Sequence, residues 1–193
     1  MKKIKYSILI IVGLLYMCSY KVITHMGAKD ISLLSLYAPN DTVIFMNTIT
    51  KETDTMFVVD KQIYNSLWPF IRSEATNEYY AGGYIEFLIK HKNASIRGKF
   101  IITKTEQGEP VKQSFVFGNR FCINEYSLSQ KDYKIFKKMG REIKECLLIN
   151  SKNSIFGKLE EPDSVEQFVW SKELGLLYYQ YMNGAEYYLV FTE

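Results

Sequence analysis

A chain of 193 residues, 47% hydrophobic and 15% aromatic, holds ample apolar material for one packed domain and is not composed like a disordered chain. Its 24 basic and 21 acidic residues are spread along the sequence for a net charge of +3, so no basic stripe marks a nucleic-acid interface. There are three cysteines and two histidines, His25 and His91, with no CxxC and no Cys/His cluster; neither a metal nor a cofactor is expected.

The chain opens MKKIKYSILIIVGLLYMCSYK, with Lys2, Lys3 and Lys5 ahead of an apolar run from Ile8 to Met17. A basic n-region followed by a short h-region is the layout of an export signal. A membrane-crossing helix needs about 20 apolar residues. Extending the run through Cys18, Tyr20, Val22 and Ile23 gives only a marginal span, with Lys21 snorkelling at its outer end. Three outcomes stand open: lipidation at Cys18, an uncleaved signal-anchor, and ordinary cleavage. Each puts the rest of the chain outside the cytoplasm, in the cell envelope on the periplasmic side. Residues 1–23 are thus read as signal or anchor, 24–40 as a linker, and 41–193 as a single β-rich domain.

Strand signals then recur at short intervals. TVIFMNT (42–48) and DTMFVVD (54–60) are rich in β-branched and aromatic residues and read as a hairpin. DKQIYNSLW (60–68) places Ile63 with Leu67 and Tyr64 with Trp68 at helical spacing behind Asp60, and Pro69 would end such a helix. YIEFLIKH (84–91) alternates, with Ile85, Phe87 and Ile89 on one face. RGKFIITKT (97–105) and VKQSFVF (111–117) flank the turn residues EQGEP. SQKDYKIFKKMG (129–140) fits a capped helix, or equally a strand running into a turn at Met139-Gly140. REIKECLLIN (141–150) and VEQFVWS (165–171) are further strands. Asn183-Gly184 between LGLLYYQYM and AEYYLVF predicts a closing hairpin with a type I′ turn. About ten strands with hairpin-length connections predict a mainly β fold: an antiparallel meander closing into a small barrel or half-barrel, with one or two short helices.

The residues Leu15 to Cys18 resemble the lipobox of bacterial lipoproteins, which implies Cys18 as the lipidated residue; Tyr16 and Met17 stand where smaller residues are usual. The strand pair DTVIFMN and DTMFVV, the segment GREIKECLLI and the closing FVWSKELGLLYYQYMNGAEYYLV are similar to a loose class of small exported proteins and lipoproteins of the Bacteroidota. That resemblance implies an antiparallel β domain and membrane tethering, and brings no catalytic residues. Three Asp-(Ser/Thr)-aliphatic triplets resemble the O-glycosylation acceptor of the same phylum, with Thr42, Thr55 and Ser164 as acceptors. The same triplets also fit strand starts after turns, where Asp, Ser and Thr bond nearby backbone.

No motif of hydrolytic, nucleotide-binding or metalloenzyme chemistry is present. His91, between Lys90 and Lys92, reads as a solvated residue at a strand end. Cys122 and Cys146 form an even pair once Cys18 is lipidated, so a disulfide is permitted, although both sit in apolar runs that suit small buried hydrophobes. Tyr178, Tyr179, Tyr181, Tyr187 and Tyr188 read either as cross-strand packing pairs or as an aromatic binding surface. The expected function is a membrane-tethered envelope domain, a non-catalytic binding or assembly module with a glycan, lipid or envelope protein as partner. The alternatives are a hydrolase-like envelope enzyme built on scattered carboxylates and tyrosines, and a structural subunit of an envelope complex.

Overall fold

A computed structural model describes residues 22–65, 78–92, 94–117, 121–126, 133–138, 140–150 and 164–191. Cys18, the signal run, residues 66–68 of the first expected helix and residues 129–132 of the second lie outside them. In chain order the elements are β1 (Val22–Ile23), α1 (Ala28–Ser32), β2 (Thr42–Asn47), β3 (Thr53–Tyr64), β4 (Glu78–Tyr79), β5 (Ala81–His91), β6 (Ala94–Lys104) and β7 (Lys112–Phe117). They continue with β8 (Phe121–Tyr126), β9 (Lys134–Lys138), β10 (Arg141–Asn150), β11 (Val165–Ser171), β12 (Gly175–Tyr181) and β13 (Glu186–Leu189).

The expected mainly β, antiparallel fold is present. Eleven strands form one sheet in the order β8-β7-β6-β5-β3-β2-β13-β12-β11-β10-β9, and a short parallel pair joins β1 to β4. The chain starts in the middle of the ladder, at β2, and meanders outward to β8. It resumes at the opposite edge with β9 and meanders back to β13, which zips onto β2 through Tyr187↔Asn47, Tyr188↔Met46 and Leu189↔Phe45. Among the described residues β8 and β9 do not pair with each other, so the ladder stays open instead of closing into a barrel.

The sheet nevertheless wraps round one core. β7 and β11 stand seven places apart in the ladder, about 34 Å if the sheet were flat. Yet the rings of Phe115 and Trp170 lie 5.5 Å apart, and those of Phe117 and Phe168 5.2 Å apart. Period-two alternation supplies the inner face: Met56 and Val58 from β3, Ile85, Phe87 and Ile89 from β5, Phe100 and Ile102 from β6, Phe168 and Trp170 from β11.

Three local expectations change. Residues 60–64, read as the start of a helix, continue β3: a bulge between Val58 and Asp60 resets the pairing with β5, and the helical spacing of Ile63 and Tyr64 is incidental to that pairing. Residues 134–138 are β9, the strand alternative, and the chain turns back through Gly140 at φ 74°. The closing hairpin forms at the expected place, but only Gly184, at φ 85°, is left-handed. The amide of Gly184 donates to Tyr181 O at 2.9 Å, so the loop is a type I turn with a glycine bulge, not type I′.

Residues 24–40, expected as a linker, belong to the domain. Thr24 Oγ1 donates to Lys104 O at 2.9 Å and accepts from the amide of Ala81 at 3.0 Å. Asp30 caps the amide of Gly27 and pairs with the buried Lys104 at 3.0 Å, pinning α1 to β6. Leu34 is fully buried against Gly83, where a Cβ would collide with the leucine side chain and the Gln62 carbonyl. The Tyr37 hydroxyl accepts from the amide of Leu176 at 3.0 Å and donates to Leu174 O at 3.1 Å. The segment plugs the end of the sheet at which β5 begins.

A second apolar cluster lies on the outer face: Cys146, Val169, Leu177, Tyr178 and Tyr188, with Phe136 and Ile143 against them. A bulge between Ile143 and Cys146, with Glu145 at φ 51°, lets the β9–β10 hairpin lean over β12 and β13. The guanidinium of Arg141 then sits 4.2 Å over the ring of Phe191.

Replacing Leu34 by alanine tests the plug. Urea denaturation should show a loss of about 2–5 kcal/mol, the range for a leucine cavity in a packed core, whereas a linker residue would leave the midpoint unchanged.

Candidate functional site

The end of the sheet opposite the plug gathers a cluster of polar side chains around one buried carboxylate. β5 spans eleven residues, so its last residue, His91, lies about 33 Å along the strand from Ala81 and the plug. β3 begins at this same end. Its inward set Asp54, Met56, Val58 starts with a carboxylate that is 1% exposed. β12 ends here with Tyr179 and Tyr181, and β13 begins here with Glu186 and Tyr187.

Asp54 is the hub. Nδ1 of His91 lies 2.9 and 3.0 Å from its two carboxylate oxygens. The Tyr179 hydroxyl donates to Oδ2 at 2.5 Å, and that of Tyr181 at 3.4 Å. A carboxylate only accepts, so Nδ1 of His91 carries the proton and the outer nitrogen, Nε2, is the other end of the ring. Tyr181 and Tyr187 pack on the imidazole with centroids at 4.8 and 5.4 Å, the latter perpendicular. Tyr179 and Tyr187 stack across β12 and β13 at 5.4 Å and 5°.

Electrostatics follow from this burial. Desolvation first, then the neighbouring phenols and Asp54, hold the Tyr179 and Tyr181 hydroxyls well above the ordinary tyrosine range. Tyr187, which also meets the Glu52 carboxylate, is pushed up to about 12, chiefly by desolvation. Glu52 forms the rim: it pairs with Lys92 at 3.2 Å, and this contact lowers its carboxyl below the usual range. The rim turn between β2 and β3 is fixed by buried Asn47, whose Oδ1 accepts from the amides of Ile49 and Thr50 at 2.9 and 3.0 Å.

The five tyrosines of the closing hairpin therefore do not form a surface. All are buried, and alternation splits them between two faces: Tyr179, Tyr181 and Tyr187 line the core, while Tyr178 and Tyr188 pair at 4.8 Å in the outer cluster. An aromatic binding surface on this hairpin is ruled out by that packing, and the cross-strand alternative holds. His91 is likewise not a solvated strand end, since its side chain is 14% exposed and bound to Asp54. The signal for it was present: Ile85, Phe87 and Ile89 point inward, and one more period of two reaches His91.

Cys146 is a free, buried thiol, with Sγ 3.4 Å from the carbonyl oxygens of Ile143 and Lys144 and held above its ordinary pKa mainly by burial. The expected bridge to Cys122, a residue of β8, is not formed. Cys146 instead packs as the small hydrophobe its apolar run suggested. Of the triplet acceptors, Thr42 is exposed at the first position of β2, Thr55 is half-buried within β3, and Ser164 is half-buried just before β11. Asp54, read as part of such a triplet, is the hub of the inner network, whereas Asp41 accepts from the amide of Ala38 at 2.7 Å as a turn residue should. Among the described residues no group of three or more His, Cys, Asp or Glu is placed to hold a metal ion.

No family model, curated protein or solved structure matches the chain.

Two outcomes are expected of this cluster. Asp54→Ala leaves an imidazole N–H and two phenols without their acceptor and should cost on the order of 3–5 kcal/mol in urea denaturation, while Glu52→Ala at the exposed rim pair should leave the midpoint nearly unchanged. In an alkaline titration, a folded-state phenol pKa above the ordinary 10 contributes stability that is complete below pH 10 and lost as pH rises toward about 12 for Tyr187. Part of the tyrosinate absorbance should appear together with loss of the β-sheet circular dichroism signal. All 15 tyrosines ionising near pH 10 with the fold intact would contradict the burial described.

Proposed function

We propose that the chain is a cell-envelope β domain tethered to a membrane through its N-terminus, working as a non-catalytic binding or assembly module on the periplasmic side. The observation that carries this reading is the way residues 24–40 are built into the sheet. Thr24 is already bonded to β5 and β6, six residues after Cys18. Six residues span at most about 20 Å, so a lipid on Cys18 would hold the plugged end close to the bilayer and turn the His91 end outward. No helix among the described residues is long and apolar enough to cross a membrane. The tethering role falls to Cys18, with the basic and apolar residues 2–17 ahead of it serving as the export signal.

The resemblance to small exported proteins and lipoproteins of the Bacteroidota supports the same placement. The curled sheet is read as a half-barrel, its gap lying between β8 and β9. At the outward end the rim offers the Glu52 and Lys92 side chains beside the imidazole, a set of donors and acceptors suited to a hydroxyl-rich partner such as a glycan. A second reading, a hydrolase-like envelope enzyme, is favoured by one specific observation: the Asp54–His91 pair, a buried carboxylate bonded to a partly open imidazole.

Intact-mass analysis of protein from the membrane fraction tests the tether. The expected product begins at a triacylated Cys18, and Cys18→Ala should abolish the acyl mass and release processing. A chain still beginning at Met1 would assign a signal-anchor instead, and a soluble chain cleaved beyond Cys18 would overturn tethering.

A further inference from the structure

An imidazole bonded to a carboxylate through one nitrogen and open at the other is poised for proton transfer, because the carboxylate fixes the ring and its tautomer while the free nitrogen meets the reactant. His91 has this arrangement. Nδ1 is committed to Asp54, the ring is wedged between Tyr181 and Tyr187, and Nε2 makes no hydrogen bond among the described residues. The Tyr179 hydroxyl, bonded to the same carboxylate, fixes the carboxylate in turn. Packing alone does not require such a group: a buried charge pair is commonly no more stabilising than apolar side chains of the same volume. Four strands nonetheless converge their polar side chains here, and the imidazole is the one member that reaches the surface.

We propose that His91 is the general base of a hydrolytic site for small, uncharged acyl esters, with Asp54 as its positioning residue. Nε2 takes a proton from a water molecule as the water oxygen bonds to the ester carbonyl carbon. The carbon–alkoxy bond then breaks, and the proton on Nε2 passes to the departing oxygen, giving a carboxylic acid and an alcohol with the imidazole restored. A ring that is only 14% exposed favours a small acyl group as substrate. The buried Asp54 carboxylate disfavours an anionic substrate, and the Glu52–Lys92 pair at the rim adds no net charge. This assignment rests on the hydrolase-like reading of the same end and takes the place of the non-catalytic reading there, while membrane tethering is common to both.

The test uses the full chain with p-nitrophenyl acetate as probe, followed by p-nitrophenolate release. The wild type should exceed an equal concentration of free imidazole, and His91→Gln, which keeps a donor for Asp54, should lose on the order of a hundredfold. His91→Ala should be partly rescued by added imidazole, which a purely structural histidine would not show. Asp54→Asn should lower kcat at least about tenfold with KM little changed; should that variant fail to fold by circular dichroism, His91→Gln and the imidazole rescue decide. His25→Gln, at the plugged end, should leave the rate unchanged. A wild-type rate no higher than free imidazole, or equal rates for wild type and His91→Gln, overturns the proposal. Such a result leaves membrane tethering, read separately by the mass of the N-terminus, intact.

Discussion

The carboxylate of Asp54 is the constraint on which the open end of this domain is built. It is 1% exposed, and an ionised carboxylate removed from water is tolerable only when its oxygens are filled by donors. One donor, His91, comes from the far end of β5, and two, Tyr179 and Tyr181, from the end of β12. β5 and β12 are four places apart in the ladder and belong to the outgoing and returning halves of the meander. The charge therefore does more than satisfy itself: it ties the two halves across the interior, where the β2–β13 seam ties them through backbone pairing. A slip of one residue in β3 would swing Asp54 outward and leave three donors unfilled, so the network also fixes register.

The two ends of the wrapped sheet solve different problems. At the plugged end, apolar side chains of the N-terminal segment fill the interior, and glycines make room for them. Gly83 admits Leu34, and Gly175, at φ 74°, lies directly against the Tyr37 phenol. At the other end, stacked tyrosines and the hydrogen-bonded Asp54–His91 pair take the place of an aliphatic plug. The sheet is thus filled by the N-terminal segment at one end and closed by a polar, aromatic cluster with His91 partly exposed at the other. On the outer face, the hairpin of β9 and β10 shields Tyr178 and Tyr188 after the bulge at Glu145, which explains why five clustered tyrosines leave no aromatic patch.

Much of the architecture was legible in the chain. Alternation placed the strands from Thr42 to Phe117 and the closing hairpin within a few residues of where they lie, because period two with β-branched and aromatic residues is a strong signal. What was not legible is physical in origin. Residues 60–64 carry helical spacing, but they pair with β5 as an extended strand, and long-range pairing outweighs local preference. The segment 24–40 looks like a linker because its buried residues, Met26, Leu34 and Tyr37, have no simple period; the shape of the sheet end selects them. The Asp54–His91 pair joins residues 37 apart, and only the antiparallel register of β3 with β5 brings them together. Half of that pair could have been read from the alternation through Ile89. The other half needed to know that Asp54 begins the inward set of β3 and does not end a turn.

The most direct measurement of the central interaction is a long-range proton–nitrogen correlation spectrum of histidine-labelled protein. The account predicts that His91 carries its proton on Nδ1, shielded from exchange and shifted downfield by the Asp54 carboxylate, while Nε2 has no such protected proton. A His91 ring with both nitrogens exchanging like free imidazole, or with its proton held on Nε2, would contradict it.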